Sequence, residues 1–82
     1  MMTVTVRFFA SLRDVTSDAQ CELALPPGAR LSDLIAQLVA RYPALDGYQE
    51  SWHFAVNQIH AEPDALLCSG DLVAIFPYVA GG

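Results

Sequence analysis

At 82 residues the chain makes one small domain, expected to bury only about 60% of the surface its unfolded form exposes, with no room for a second domain or a deep catalytic cleft. A formal net charge of −5 speaks against nucleic acid, whose binding rests on Lys and Arg contacts with phosphate, and would instead steer a partner with a basic surface toward the chain. Yet 54% of the residues are hydrophobic, more than so short a chain hides, which points to an apolar face left for a partner.

In chain order, MMTVTVR (1–7) moves straight into strand alternation without a basic segment and continuous apolar core. No targeting signal is therefore expected, and the cytoplasm is the expected location. Residues 3–9 alternate with a period of two, placing Val4, Val6 and Phe8 on one face and Phe9 on the other. A short helical turn or loop at 10–17 leads to a second alternating run, 20–25, with Cys21, Leu23 and Leu25 together; the two runs read as a long hairpin, ended by Pro26-Pro27-Gly28.

Leu31, Leu34, Ile35, Leu38, Val39 and Tyr42 then draw a single stripe down one helix. Ser32 is a candidate cap with Asp33 in the first turn, although a start at Arg30 places Leu31 better within the stripe, and Pro43 ends the helix. Residues 44–51 read as an irregular polar crossing, 52–56 and 59–61 as short strands about an Asn57-Gln58 turn, and 69–71 as another turn. The last strand, 72–76, has no alternation, which implies a central position in the sheet, covered on one side by the helix and on the other by side chains or a partner. The order is ββαββ followed by a last, central strand, with one main crossing helix: an α+β chain with a mixed sheet, in the pattern of a ubiquitin-like β-grasp domain over 1–76.

Beyond it, 77–82 reads as an extended C-terminal tail ending in Gly81-Gly82. Glycine has no Cβ, so such an end passes through a channel too narrow for side chains and leaves its terminal carbonyl open to attack. Six extended residues reach roughly 20 Å, enough to carry the terminus into another protein's active site. An α-carboxyl, with an ordinary pKa of about 3.5, is an anion and a poor electrophile at neutral pH; acyl chemistry there requires activation, with adenylation the obvious route. A frayed end without function is the plainer alternative. The apolar run 72–80, broken by Pro77, is far too short to span a membrane, which takes about 20 residues.

Four fragments in this order, RFFASLR (7–13), AVNQ (55–58), SGDLVA (69–74) and FPYVAGG (76–82), resemble the MoaD/ThiS family of ubiquitin-like sulfur carriers, and within it the molybdopterin synthase branch, over essentially the whole chain. The resemblance implies a carrier that catalyses nothing by itself. An E1-like, MoeB-like enzyme adenylates the Gly82 carboxylate, and sulfur then replaces the adenylate to leave a thiocarboxylate. That sulfur goes to the cyclic pyranopterin precursor on a MoaE-like large subunit that supplies the catalytic side chains, in an expected heterotetramer of two small and two large chains. Gly82 is then the reacting residue, Gly81 gives clearance, and Pro77, Tyr78, Val79 and Ala80 thread the channel. The isolated chain is expected to bind no cofactor; the acyl-adenylate and thiocarboxylate are transient modifications. Phe9, His60, Phe76 and Tyr78 are the expected docking residues, with core packing the alternative for Phe9 and Phe76.

The family commonly has Pro-Pro where this chain has Pro77-Tyr78. A second proline would stiffen the exit, so Tyr78 either leaves the tail more mobile or supplies a different docking contact. There is no lysine; the cations are Arg7, Arg13, Arg30 and Arg41, so an activated terminus meets no side-chain amine of its own, a feature that compositional bias alone also explains. Cys21 and Cys68 lack CxxC spacing and read as reduced packing residues without a disulfide. With His53 and His60 they form no nucleophilic set, and Glu62, Asp64 and Asp71 read as solvated turn residues rather than a cation site, so no metal is expected. Two alternatives remain: sulfur delivery to thiamine, tRNA or an amino-acid precursor, and a ubiquitin-like interaction module whose tail does no chemistry.

Overall fold

The computed structural model describes residues 1–47 and 52–77. Five strands, β1 (Met2–Phe8), β2 (Gln20–Leu25), β3 (His53–Val56), β4 (Ile59–Ala61) and β5 (Leu72–Phe76), form one sheet in the order β2-β1-β5-β3-β4. Helix α1 (Ser11–Thr16) sits in the β1–β2 connection, and α2 (Leu31–Arg41) crosses the sheet. β1 runs antiparallel to β2 and parallel to β5, while β3 is antiparallel to both β4 and β5. This is the ubiquitin-like β-grasp arrangement, with the unalternating last strand at its centre.

The sequence periods decide what is buried. Val4, Val6 and Phe8 of β1, Cys21, Leu23 and Leu25 of β2, Phe54 of β3 and Val73 and Ile75 of β5 form the sheet side of the core. Leu31, Leu34 and Leu38 of α2 close it, with Ile35 and Tyr42 partly buried beside them. Helix α2 starts at Leu31, with Arg30 as its cap residue, so Ser32 is not the cap; the Asp33 carboxylate instead accepts from the Arg30 N–H at 2.8 Å. The next two orphan donors at this end are met by a distant loop, Leu31 N–H donating to the Ala65 carbonyl at 2.9 Å and Ser32 N–H to that of Pro63 at 2.8 Å.

Several expectations are corrected. β3 begins at His53 rather than Trp52, which is buried and meets Phe54 edge to face at 6.2 Å. The segment expected as a polar crossing opens with a 3-10 turn, Pro43–Leu45, in which proline supplies a fixed φ and Leu45, only 1% exposed, enters the core; residues 48–51 lie outside the described residues. Cys21 is buried as expected, but Cys68 is exposed and packs nothing away; both are free thiols.

Asp71 is not a solvated turn residue. It is 9% exposed, and its carboxylate accepts from Asn57 Nδ2 at 2.9 Å and from the Cys68 N–H at 2.7 Å. Asn57 in turn accepts from the Leu72 N–H with its side-chain oxygen at 3.0 Å and donates its own N–H to the Leu72 carbonyl at 2.8 Å. Asn57 and Gln58 hold φ values of 52° and 71°, the left-handed turn that asparagine tolerates. A polar latch thereby ties the β3–β4 turn to the start of β5.

Candidate functional site

β5 is the element that positions the tail. It leaves the turn at Gly70, whose φ of 87° suits glycine, and runs through the sheet centre until His53 and Phe76 form its last pair with β3. Pro77 follows, half-buried, and its missing N–H ends the ladder. Tyr78, Val79, Ala80, Gly81 and Gly82, the expected threading and reacting residues, lie outside the described residues.

Around that exit no element among the described residues covers the sheet face opposite α2. Odd-numbered residues of β1 and even-numbered ones of β5 point there, as Thr5 pairs with Leu72 and Arg7 with Ala74. Phe9, just past β1, is half-buried and stacks on Phe76 with centroids 4.6 Å apart and planes 20° from parallel. Phe76 itself is 38% exposed, well outside the core. Arg7, Phe9, Ala55, Gln58, Leu72, Ala74 and Phe76 surround a shallow dimple of about 320 Å³. The structure thus brings Phe9 and Phe76 together at the root of the tail.

His60 stands apart from them. It shares their face, opposite Ala55, but on edge strand β4, two strands from β5. Its Nε2 lies 3.1 Å from Glu62 Oε1, with both side chains mostly in solvent. It lines a separate groove of about 470 Å³ with Trp52, His53 and Pro63 among others. Sequence reasoning did not name Arg7, Leu72 or Ala74 as part of the open face; the same period of two that placed Val4 and Val6 inward marks them as outward once β1 and β5 are known to be neighbours.

Burial pushes the Cys21 thiol up, with Tyr42 and Arg41 only partly offsetting it, so it is held as a neutral packing group. Tyr42, which donates to Asp18 at 2.8 Å, is pushed up to about 12, first by burial and then by that bond. Among the described residues no three His, Cys, Asp or Glu side chains gather as metal ligands, and no helix is long and apolar enough to cross a membrane.

What the described residues present is an aromatic pair, Phe9 and Phe76, on an open sheet face beside the last strand. A model of the ThiS family matches residues 6–82. The chain belongs to the ThiS family. Among its ThiS-family relatives, the molybdopterin synthase sulfur carrier subunit of Chlamydomonas reinhardtii is 39% identical, with 99% of this chain and 100% of the relative covered. The subunit of the same name in Mycobacterium tuberculosis is 34% identical, with 100% of both chains covered. A Pyrococcus furiosus structure assigned as molybdopterin converting factor subunit 1 superposes with a TM-score of 0.85 at 33% identity, over 96% of this chain and 100% of that one. The fold also recurs, at 23% identity and a TM-score of 0.71 over 99% of this chain and 100% of that one, in a complex of subunits 1 and 2 of the molybdopterin-converting factor of Helicobacter pylori.

Proposed function

We propose that this ThiS-family chain is the sulfur carrier subunit of a molybdopterin synthase. The observation that carries the reading is that two relatives bearing that name align with the chain over essentially the full length of both, at 39% and 34% identity. The family match also runs through to Gly82.

The chemistry follows from the terminal group. A Gly82 carboxylate oxygen attacks the α-phosphorus of ATP on an E1-like adenylating enzyme, and pyrophosphate leaves. Hydrosulfide from a donor then adds to the acyl carbon, AMP departs with the bonding pair, and the S–H proton is lost to water, leaving a thiocarboxylate. Glycine at 81 and 82 keeps that carbon unhindered at both attacks. The charged carrier docks through its open sheet face on a MoaE-like large subunit, and the tail enters a channel that orients the sulfur and keeps water from it. A dithiolene needs two sulfurs, so two charged carriers serve each product. Phe9 and Phe76 supply the apolar anchor, Pro77 starts the tail, and His60 on β4 lies at the rim of the docking face.

Reconstitution tests this directly. With the large subunit, the pyranopterin precursor and thiocarboxylated carrier, dithiolene product should form at one molecule per two carriers consumed. Efficient sulfur transfer to a thiamine or tRNA precursor, with none to the pyranopterin, would overturn the assignment.

A further inference from the structure

We infer that Arg7 and Arg13 form a carboxylate-accepting notch beside the Phe9–Phe76 stack, so that the open face selects a protein partner carrying an acidic side chain next to its apolar anchor. The inference rests on the carrier reading above and names the chemistry of the partner at the same face.

The chain has four arginines and no lysine, and two of the arginines are committed within the fold. Arg30 donates from Nη1 to the Asp64 carbonyl, 2.6 Å away. Arg41 donates to the Glu22 carbonyl at 3.2 Å and lies 5.6 Å from the centre of the Tyr42 ring. Arg7 and Arg13 remain. Arg7 makes only a 3.5 Å bond from Nε to Gln20 Oε1, and the Arg13 side chain has no hydrogen bond or ion pair among the described residues. Glu22, opposite Thr5 and so diagonal to Arg7, forms no ion pair with it.

These two exposed guanidinium groups line one depression of about 230 Å³, with Phe8, Phe9, Ala19 and Gln20 as its other walls. Arg7 also lines the dimple at Phe76, so the cationic notch and the apolar dimple are continuous through Arg7 and Phe9. Beyond Arg13 lie Asp14 and Asp18, the latter held by the Tyr42 hydroxyl. An incoming carboxylate is therefore repelled on that side and admitted on the side of the aromatic stack.

The energetics favour selectivity. An apolar partner closing over Phe9 would strip water from two guanidinium groups and leave them unpaired, a penalty that discriminates against surfaces lacking an acid. A carboxylate converts the penalty into a bidentate, charge-assisted contact that lysine would reproduce poorly. In a chain of net charge −5 this local reversal of sign also fixes the orientation of docking, since other acidic groups face the same encounter unfavourably.

The test is calorimetric titration of the carrier into the MoaE-like large subunit at low and at 1 M salt, with Arg7→Gln/Arg13→Gln, Arg7→Glu/Arg13→Glu and Arg7→Lys, and with Ser32→Ala on α2 as a control. At low salt the double Gln variant should bind about tenfold more weakly and the double Glu variant weaker still. Arg7→Lys should recover only part of the affinity. The differences should shrink in 1 M salt, where screening acts over about 3 Å, and the melting temperatures should match wild type because both side chains are exposed. If a double variant melts early, Arg7→Gln alone carries the comparison. Variants that bind like wild type, or whose defect is the same at both salt concentrations, would overturn the inference while leaving the carrier reading intact. A wild-type carrier that does not bind the large subunit at all would overturn that reading and the inference together.

Discussion

Replacing Asp71 with alanine removes two hydrogen bonds to a carboxylate, from Asn57 Nδ2 and from the Cys68 N–H, at 2.9 and 2.7 Å. Bonds to charged groups contribute about 1.5–3 kcal/mol each, and water reaching exposed Cys68 recovers part of that loss, so the expected destabilisation is about 2–4 kcal/mol. Against a total of about 5–15 kcal/mol for a small domain this is a large fraction. The melting temperature should fall by about 10–25 °C for a chain of this size. Asn57→Gly keeps the positive φ of the turn without strain while deleting the shared Asn57–Asp71 bond and the Leu72 N–H bond to Asn57; the Cys68 N–H bond to Asp71 survives it, so adding Asp71→Ala should still cost stability, but less than Asp71→Ala costs in the wild-type chain. The assay is urea unfolding followed by circular dichroism, read as a shift in midpoint at constant slope. A loss below about 0.5 kcal/mol for Asp71→Ala, the range of ordinary surface changes, would refute the latch.

Phe76→Ala should separate docking from folding: with Phe76 38% exposed, the stacked pair contributes about 0.5–1.5 kcal/mol to stability, whereas an aromatic anchor contributes about 2 kcal/mol or more to binding the large subunit, measured by calorimetry. For Tyr42 the folded pKa of about 12 exceeds the ordinary 10.0, so the native state keeps a proton that the unfolded chain releases; the stability this provides is intact below about pH 10 and declines as pH rises toward 12. Tyr42→Phe should flatten that decline in alkaline unfolding curves. Ala10, at φ 52° and ψ −130°, occupies a region suited to glycine, and Ala10→Gly should raise stability by about 1 kcal/mol, seen as a higher urea midpoint.

Much of the fold was legible because its signals are local and periodic. The stripe through Leu31, Leu34 and Leu38 marked the crossing helix, and the unalternating 72–76 run announced a central strand, which pairs with β1 on one edge and β3 on the other although only Val73 and Ile75 enter the core. The Asn57-Gln58 turn was equally readable, being a matter of two residues' φ. Long-range pairing was not. Asp71 looks like any acid beside a glycine until the fold sets Asn57 opposite it, and Leu45 enters the core only because a proline-started turn aims it there. At the site, Phe9 and Phe76 were placed on the open face because the side opposite the helix lacks other cover in so short a chain, whereas Arg7 hid in plain alternation and emerged only when β1 and β5 proved adjacent. His60 lies opposite Ala55 but two strands from β5, because edge order is invisible to periodicity.

The account turns on Gly82 as the acyl group that carries sulfur. Intact mass spectrometry after incubation with ATP, a sulfur donor and the adenylating enzyme measures this directly. The account predicts replacement of one oxygen by one sulfur, localised to Gly82 by fragmentation and abolished by appending a single residue after it. An unchanged mass under conditions that charge a related carrier, or sulfur recovered on Cys68 instead, would contradict it.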